Sequence, residues 1–248
     1  MSNRQIHTIL SNAKKANKKL LAVLIDPDKP DMSLLDAQLK AIEEAKVPLI
    51  FFGGSLLTRF VLEEKLGYIK KRTTAKIVLF PGSVQQVSPQ ADAILFLSLI
   101  SGRNPEFLIG QHVLAAPMIK QTGLEVLSTG YMLIDGGRPT TASYISGSLP
   151  IPADKPEIAA CTAMAGTMLG LQHMYLDAGS GALNAVTPEM IAKVRSEVDV
   201  PLIVGGGIRD KEAAVLRAEA GADVIVVGNI TEKHPTIIGE IAAALQAL

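Results

Sequence analysis

Continuous apolar runs alternate with amphipathic segments along this chain. Leu20–Ile25 reads LLAVLI and is apolar at every position, which is typical of a parallel strand buried on both faces. In the segment that follows, Leu35, Leu39 and Ile42 recur at helical spacing. The pattern predicts strands at residues 20–25, 48–52, 76–80, 93–97, 125–134, 174–177, 201–204 and 222–227. It predicts helices at residues 2–19, 33–46, 56–71, 106–120, 155–171, 188–198, 210–220 and 234–248.

Eight strands that alternate with helices favour a single closed (β/α)8 barrel, a TIM barrel, over residues 1–248. Only GSVQQVSPQAD separates the third and fourth strands, so a loop or a single turn is expected in place of that crossover helix. An open doubly wound sheet is the alternative, but it usually places glycines after its first strand. Here the glycines cluster after strands six, seven and eight, which favours the barrel.

Composition narrows the function classes. The formal net charge is 0 and no basic run with interleaved aromatics occurs, so no nucleic-acid partner is expected. Cys161 is the only cysteine, which excludes an intramolecular disulfide and a cysteine-clustered zinc site. The polar amino terminus, and the absence of an apolar run of about 20 residues, predict a cytoplasmic protein without a transmembrane segment.

The chain is more apolar than most soluble proteins. Hydrophobic residues make up 48% of it, and the mean hydropathy is +0.30. Strands buried on both faces explain much of this excess. An apolar substrate groove or an oligomer interface is expected to account for the rest.

Three glycine-rich turns follow the last three predicted strands. They read AGSG at 178–181, GGG at 205–207 and GN at 228–229. Glycine lets backbone N–H groups approach an anion closely and adopts positive φ readily. Tight turns without a ligand are the alternative. Three such turns on successive strands favour a phosphate site, which barrel enzymes often carry at this position.

Two polar residues follow the first two strands. Asp26 lies at a strand's carboxyl end, where a carboxylate can bind Mg²⁺ and leave waters for a substrate's phosphates. A turn or helix cap is an equal alternative for Asp26. Ser55 is suited to add a neutral oxygen ligand, or to cap the helix predicted at 56–71.

Tyr175 and Asp177 project from the same face of strand six, because side chains alternate with a period of two. Asp177 is suited to accept a proton from a substrate hydroxyl, and Tyr175 to hold that hydroxyl or a phosphate. Barrel packing and a turn cap are their structural alternatives. His112 and His173 have no evident partner and are interpreted as structural, since no Ser–His–Asp arrangement or metal-binding histidine spacing occurs.

Taken together, these motifs resemble the geranylgeranylglyceryl phosphate synthases and their heptaprenylglyceryl phosphate synthase relatives. LIDPDKP, FFGGS, YLDAGSGA, VGGGIR and VVGN occur in that family's order over nearly the whole chain. IDPDK and the segment at 135–152 resemble the larger branch of the family. The resemblance implies a prenyltransferase that joins an all-trans polyprenyl diphosphate, most commonly geranylgeranyl diphosphate, to the 3-hydroxyl of sn-glycerol 1-phosphate and releases diphosphate.

By position, the resemblance also implies the site residues. Asp26 and Ser55 match the Mg²⁺ ligands, and Asp177 matches the general base, assisted by Tyr175. The residues that match the glycerol 1-phosphate site are Tyr175, Leu176, Asp177, Ala178, Gly179, Ser180, Gly181, Gly206, Gly207, Gly228 and Asn229.

The chain departs from the family at two positions. Family members often carry glutamate where this chain has Asp177, whose side chain is shorter by a methylene group. Small bacterial members carry a phosphate-binding lysine two residues before the metal aspartate, where this chain has Leu24.

Further expectations concern the prenyl chain and the assembly. We expect an apolar groove at the thin third crossover, lined by residues 96–100 and the helix at 106–120. The resemblance implies a homo-oligomer, a dimer or a hexamer, and the loop-like segment at 135–152, which contains Tyr144, is expected to cover the mouth or contact a partner subunit. Peripheral membrane contact would suit a lipid product.

Two other functions remain open at this point. A phosphosugar isomerase or lyase would use the same phosphate site with a second carboxylate opposite Asp177, for which Asp135 is the candidate. A non-catalytic barrel would bind the phosphate of a flavin.

Overall fold

A closed ring of parallel strands forms the centre of the molecule. The computed structural model describes residues 4–29 and 31–248. The strands are β1 (Leu20–Ile25), β2 (Leu49–Phe52), β3 (Lys76–Leu79), β4 (Ala93–Leu99), β5 (Glu125–Leu133), β6 (His173–Asp177), β7 (Leu202–Gly205) and β8 (Val224–Val227). Each strand pairs in parallel with the next, and β8 pairs with β1 to close the ring. The predicted (β/α)8 barrel is confirmed.

Helices surround this ring. They are α1 (Gln5–Lys15), α2 (Met32–Glu44), α3 (Leu62–Lys70), α4 (Gln111–Thr122), α5 (Thr141–Ser146), α6 (Pro156–Met168), α7 (Pro188–Glu197), α8 (Lys211–Glu219), α9 (Asn229–Lys233) and α10 (Ile237–Gln246). A 3₁₀ turn at Val84–Gln86 and a π-helical turn at Glu106–Gly110 complete the set. In the part of the chain that the structure describes, no helix has the length and apolar character needed to cross a bilayer.

The crossover between β3 and β4 contains only the turn Val84–Gln86, as predicted. The strand pairing is also short here. β3 and β4 pair at Val78 with Ala93 and at Leu79 with Ile94, whereas β4 and β5 pair along the whole of β4. The barrel wall is therefore thin at this point, because a single 3₁₀ turn takes the place of the crossover helix.

Strand side chains alternate between two apolar layers. The inner layer fills the barrel and includes Phe51, Leu95 and Tyr175. The outer layer packs against the helices and includes Phe52 and Leu176. Because both faces are buried, most strand positions are apolar, which explains the continuous apolar runs of the sequence.

Helix α1 closes the amino-terminal end of the barrel. Ile6 and Leu10 belong to the inner apolar layer and are each 1% exposed. The buried Glu125 carboxylate accepts hydrogen bonds from the Ile6 and His7 N–H groups at 2.8 and 2.7 Å. This carboxylate satisfies the first free N–H groups of the helix and complements its dipole.

His173 has a partner that the sequence did not reveal. Its Nε2 lies 3.1 Å from Nδ1 of His7, and its Nδ1 lies 3.2 Å from the Ser128 carbonyl oxygen. The prediction that His173 is structural agrees with this position, at the end of the barrel where α1 packs.

The helix predicted at 56–71 begins later, at Leu62. The Asp28 carboxylate accepts hydrogen bonds from the Thr58 N–H and hydroxyl at 2.6 and 2.8 Å, which holds the preceding segment out of a helix. Ser55 is therefore not a helix cap, and that alternative is wrong.

Other helices also differ from the prediction. The helix predicted at 2–19 spans Gln5–Lys15, and its predicted residues 2 and 3 lie outside the described residues. The helix predicted at 106–120 begins with the π-helical turn and continues to Thr122. The segment at 135–152 contains the short helix α5. The closing helix starts at Ile237 and is preceded by α9, because Gly228 ends β8 and the chain turns at once.

We predict that the buried His173 makes the fold sensitive to acid. Burial lowers the pKa of His173 to about 4, below its ordinary value of 6.5. As the pH falls, the unfolded chain binds a proton at this histidine near pH 6.5, whereas the folded chain binds it only near pH 4. The stability that the neutral His173 allows is therefore fully present above pH 6.5 and is lost as the pH falls toward 4. Urea titrations at pH 7 and pH 4.5 give the drop in unfolding free energy between the two pH values. This drop should be about 2 kcal/mol smaller in His173→Gln than in the wild type.

His234→Gln, at an exposed position, is the matched control and should follow the wild-type pH dependence. Identical pH dependence in His173→Gln and the wild type would show that His173 is not kept neutral by the fold.

Candidate active site

The turns after β6 and β7 contain glycines in a backbone conformation that other residues rarely adopt. Gly179 and Gly181 have φ of 87° and 76°, and Gly206 and Gly207 have φ of 80° and 73°. A side chain at any of these positions would strain the backbone. The local folding of both turns therefore depends on glycine.

The three glycine turns contact one another at the carboxyl ends of the strands. A Cβ on Gly206 would lie 2.6 Å from Oδ1 of Asp177, so only glycine lets the second turn approach the first. The third turn joins through the Ser180 hydroxyl, which lies 3.1 Å from the side-chain oxygen of Asn229. The structure thus brings together the three turns singled out in the sequence.

These turns hold backbone donors that the protein does not use. The Ala178 N–H donates to the Gly205 carbonyl at 3.1 Å, and the Gly179 N–H donates to Asp177 at 2.7 Å. Within residues 4–29 and 31–248, no protein acceptor is hydrogen-bonded to the N–H groups of Ser180, Gly181, Gly206 and Gly207. Free N–H groups in adjoining turns form an anion-binding concavity.

Asp177 places a buried carboxylate beside this concavity. The residue is 6% exposed, and its Oδ2 accepts a hydrogen bond from the Tyr131 hydroxyl at 2.6 Å. Burial raises the pKa of Asp177, and the hydrogen bonds from Tyr131 and Gly179 oppose that rise. A carboxylate with a raised pKa is a stronger base than an exposed one.

Tyr131 is a site residue that the sequence analysis missed. It lies on β5, two positions before Leu133, which is the register partner of Asp177. Burial, reinforced by the charge of Asp177, raises the pKa of the Tyr131 phenol well above its ordinary value, so it stays protonated and donates. The sequence did offer one indication of this role, because Tyr131 occupies an inward-facing position near the end of a long predicted strand.

Tyr175 is packed inside the barrel below the glycine turns. Its ring stacks on Phe80, with centroids 5.4 Å apart, and meets the Tyr131 ring edge-on at 5.4 Å. A Cβ on Gly205 would lie 2.6 Å from the Tyr175 hydroxyl, so that hydroxyl lies against the second turn. Tyr131, rather than Tyr175, makes the hydrogen bond to Asp177.

Asp26 and Ser55 lie at the carboxyl ends of neighbouring strands, and both are half-buried. Oδ1 of Asp26 accepts the Asp28 N–H at 2.9 Å. A Cβ on Gly54 would lie 3.6 and 3.9 Å from the two Asp26 carboxylate oxygens, so bare backbone borders the carboxylate. Carboxylate and hydroxyl oxygens suit a hard cation that keeps waters or substrate oxygens as further ligands.

No cluster of three His, Cys, Asp or Glu side chains that could hold a metal occurs in the described residues. A cation at Asp26 would therefore have at most two ligands of these four residue types. This donor set fits Mg²⁺ better than Zn²⁺, which takes nitrogen and sulfur ligands in closed sites.

Gln86, from the third crossover, holds the backbone next to Ser55. It is 2% exposed, its amide nitrogen donates to the Gly54 carbonyl at 2.8 Å, and its amide oxygen accepts the Gly54 N–H at 3.3 Å. The sequence analysis did not single out Gln86, because nothing local to the turn indicates a partner 32 positions away.

An apolar groove, open at its mouth, runs along the thin wall. One side is the turn with Val84 and Val87, and the other is α4, which contributes His112, Ala115 and Ile119. Ser55 and Tyr131 also line it, as do Phe96, Leu97 and Leu99. The groove thus has the location and lining predicted for the prenyl chain.

His112 lies in the wall of this groove, edge-on to Phe96 at a centroid distance of 4.4 Å. Burial lowers its pKa, so the ring is kept neutral. A neutral imidazole packed on an aromatic ring agrees with the structural role predicted for His112.

Asp135, the candidate second carboxylate of an isomerase or lyase, is exposed. Its Oδ1 accepts the Gly137 N–H at 2.8 Å and so caps its own turn. It lacks the burial that a paired acid–base role predicts.

Similarity to known proteins agrees with this geometry. The chain matches the PcrB family over residues 14–245. It is 54% identical over 248 residues to the geranylgeranylglyceryl phosphate synthase of Chitinophaga pinensis, covering 99% of this chain and 97% of the relative. It is 43% identical over 235 residues to the protein of the same name in Korarchaeum cryptofilum, covering 95% and 96%.

Solved structures give the same result. The crystal structure of (S)-3-O-geranylgeranylglyceryl phosphate synthase from Thermoplasma acidophilum, in complex with the substrate sn-glycerol-1-phosphate, superposes with a TM-score of 0.92. Its sequence is 32% identical, and the match covers 98% of this chain and 99% of that one. The tryptophan synthase alpha subunit of Legionella pneumophila, at 15% identity and a TM-score of 0.60, shares the fold alone.

We predict that Tyr131→Phe raises the pKa of Asp177 further. The variant removes a hydrogen bond that stabilises the charged carboxylate, while burial still disfavours that form. Titration of ¹³C-labelled aspartate carboxyl groups by NMR measures the change directly.

Tyr144→Phe removes the hydroxyl of an exposed tyrosine and is the control. An unchanged or lowered pKa of Asp177 in Tyr131→Phe would contradict the assigned hydrogen bond.

Proposed function

The chain belongs to the PcrB family, and from that premise we propose that it transfers a polyprenyl group to sn-glycerol 1-phosphate. The donor is an all-trans polyprenyl diphosphate, with geranylgeranyl diphosphate the first choice. The product carries an ether bond at the glycerol 3-hydroxyl, and diphosphate is released. The names of the relatives support the reaction, and the ligand of the Thermoplasma acidophilum structure supports the acceptor.

One observation carries this proposal: Tyr131 contacts both the apolar groove and the carboxylate of Asp177. It lines the apolar groove, and its hydroxyl donates to Asp177 beside the glycine turns. A groove for a long hydrocarbon and a concavity for an anion therefore meet at a buried base. A prenyl transfer to a phosphorylated alcohol requires this meeting, because the hydroxyl must reach the head of the prenyl chain.

The glycine turns bind the acceptor's phosphate in this proposal. The free N–H groups of Ser180, Gly181, Gly206 and Gly207 donate to its oxygens. The whole acceptor site comprises the backbone of Tyr175, Leu176, Asp177, Ala178, Gly179, Ser180 and Gly181, with Gly206, Gly207, Gly228 and Asn229. Holding the phosphate fixes the 3-hydroxyl next to Asp177.

Asp26 and Ser55 would hold Mg²⁺ in this proposal, because they lie at the carboxyl ends of neighbouring strands and the Gly54 backbone lies beside the Asp26 carboxylate. A Mg²⁺ ion held by these residues would supply positive charge to neutralise the donor's diphosphate as it leaves. Gln86 fixes the backbone on which Ser55 is carried.

Asp177 takes the proton of the attacking hydroxyl. The glycerol oxygen forms a bond to the allylic carbon, the bond from that carbon to the diphosphate oxygen breaks, and the proton passes to the Asp177 carboxylate. Tyr131 stabilises the carboxylate before transfer, and Tyr175 assists by packing against Tyr131 below it. The raised pKa of Asp177 favours the transfer.

Assembly and location stay predictions. Exposed apolar side chains on α4, including Val113, Leu114 and Met118, support a homo-oligomer of two or six subunits. A cytoplasmic enzyme with peripheral membrane contact would suit a lipid product.

We predict that the purified protein, in the presence of Mg²⁺, converts labelled sn-glycerol 1-phosphate and geranylgeranyl diphosphate into a labelled product that partitions into organic solvent.

We also predict that Asp26→Ala, or chelation of the metal, lowers turnover at least about 100-fold, since metal stabilisation supplies several kcal/mol. Thermal unfolding of Asp26→Ala should stay near that of the wild type. Asp154→Ala, at an exposed position, is the control.

The absence of an ether-linked product with every prenyl length would overturn the function. Turnover retained in Asp26→Ala would remove Asp26 as the ligand and leave the function in place.

A further prediction tests the groove. Barrel helices run opposite to the strands, so Gln111 lies near the mouth, Ile119 near the far end, and Ala115 between them. Ala115→Phe should fill the middle of the groove and raise KM for the twenty-carbon donor roughly tenfold, with a smaller effect on a ten-carbon donor.

Ala116→Phe is the matched control, because the neighbouring position is exposed. An equal effect of Ala115→Phe on both donors would show that the chain does not enter along α4.

A further inference from the structure

A lone arginine lies over the first glycine turn. Arg138 belongs to the loop after β5, and a Cβ on Gly181 would lie 2.6 Å from its Nη2. The same Cβ would lie 4.0 Å from the side-chain nitrogen of Asn229 in the third turn. The guanidinium therefore lies at the place where the first and third turns meet.

The loop that carries Arg138 is fixed on both sides of it. Before it, the Gly136 carbonyl accepts the N–H groups of Leu183 and Asn184 at 2.9 and 3.0 Å. After it, Thr140 packs on Gly179, where a Cβ would lie 2.7 Å from the threonine methyl carbon. Both anchors attach the loop to the segment that follows β6, so the backbone holds Arg138 above the turn.

Arg138 has no counter-ion among the described residues. None of the ion pairs formed by residues 4–29 and 31–248 includes it. The side chain is exposed and lies beside Gly181, which belongs to the turn with the unused N–H donors. A fixed cation beside free N–H donors is the environment of a bound anion.

The other elements around the concavity supply less. The β1 side chain beside Gly228 is the apolar Leu24, whose Cβ lies 3.5 Å from the position of a Cβ on that glycine. Arg209, after the second turn, donates to the Ala182 carbonyl at 2.7 Å, so this part of its guanidinium faces the segment after β6. The backbone donors alone are neutral, whereas a phosphate monoester carries nearly two negative charges.

We propose that Arg138 binds the phosphate monoester of the acceptor and closes the concavity over it. The inference rests on the proposed function and deepens it. The guanidinium adds a charge-assisted, bidentate contact to the neutral N–H groups, and selects a phosphorylated alcohol over a free one.

The test compares wild type, Arg138→Gln and Arg138→Lys. Arg138→Gln should raise KM for sn-glycerol 1-phosphate about 10- to 100-fold, the usual range for a lost hydrogen bond to a charged group, with KM for the prenyl diphosphate unchanged. Arg138→Lys should restore part of the affinity, because it returns the charge without the planar fork.

A binding readout separates this role from a structural one. Isothermal titration calorimetry with sn-glycerol 1-phosphate, and with inorganic phosphate as the minimal probe, should show the same order of affinity as KM. Arg72→Gln is the control: Arg72 is also a partly exposed arginine, but it stacks on Tyr68 just before β3, at the opposite end of the barrel.

The outcomes are distinguishable. Unchanged affinity for both phosphates in Arg138→Gln, with an active wild type, overturns the role of Arg138 and leaves the proposed function intact. A rise in KM for the prenyl diphosphate alone also overturns it, because the guanidinium would then serve the donor. A wild type that binds neither phosphate and forms no product overturns both.

Discussion

Closure of the barrel is the constraint on which the site depends. The pairing of β8 with β1 brings every strand's carboxyl end to one rim, so Asp26, Tyr131, Asp177 and Gly206 lie toward the same end of the barrel although they are far apart in the chain. The strand register then sets their heights. Tyr131 pairs with Tyr175, and its hydroxyl rises beside the carboxylate one inward position above. A register shift of one residue would turn Asp177 out of the barrel.

The groove exists because the crossover between β3 and β4 has no helix. Without a helix between β3 and β4, their outer apolar face is left for another occupant, and α4 supplies the opposite wall. An apolar surface of this kind costs free energy while it faces water. A hydrocarbon chain recovers roughly 0.8 kcal/mol for each CH₂ that it buries. The same omission thus creates both the thin wall and the affinity for a long tail.

The sequence allowed the barrel and the glycine turns to be predicted, because both follow from local patterns: period, apolar runs and positive-φ glycines. Tyr131, Gln86 and Glu125 could not be found in this way. Each acts on a partner 32 to 119 positions away. Their roles depend on which strand heights coincide after closure, and no local spacing encodes that. The late start of α3 has the same origin, since Asp28 holds Thr58 from another loop.

The Gln86 side chain hydrogen-bonds to both the N–H and the carbonyl of Gly54. Gln86 belongs to the turn whose valines form one side of the groove. A tail that shifts this turn must also shift the backbone that carries Ser55. Occupancy of the groove and occupancy of the proposed cation site would then be thermodynamically linked, and the linkage would be reciprocal: whatever factor the tail adds to the cation's affinity, the cation adds to the tail's. A change in tail length would thus alter the affinity for the cation at the diphosphate end of the same donor.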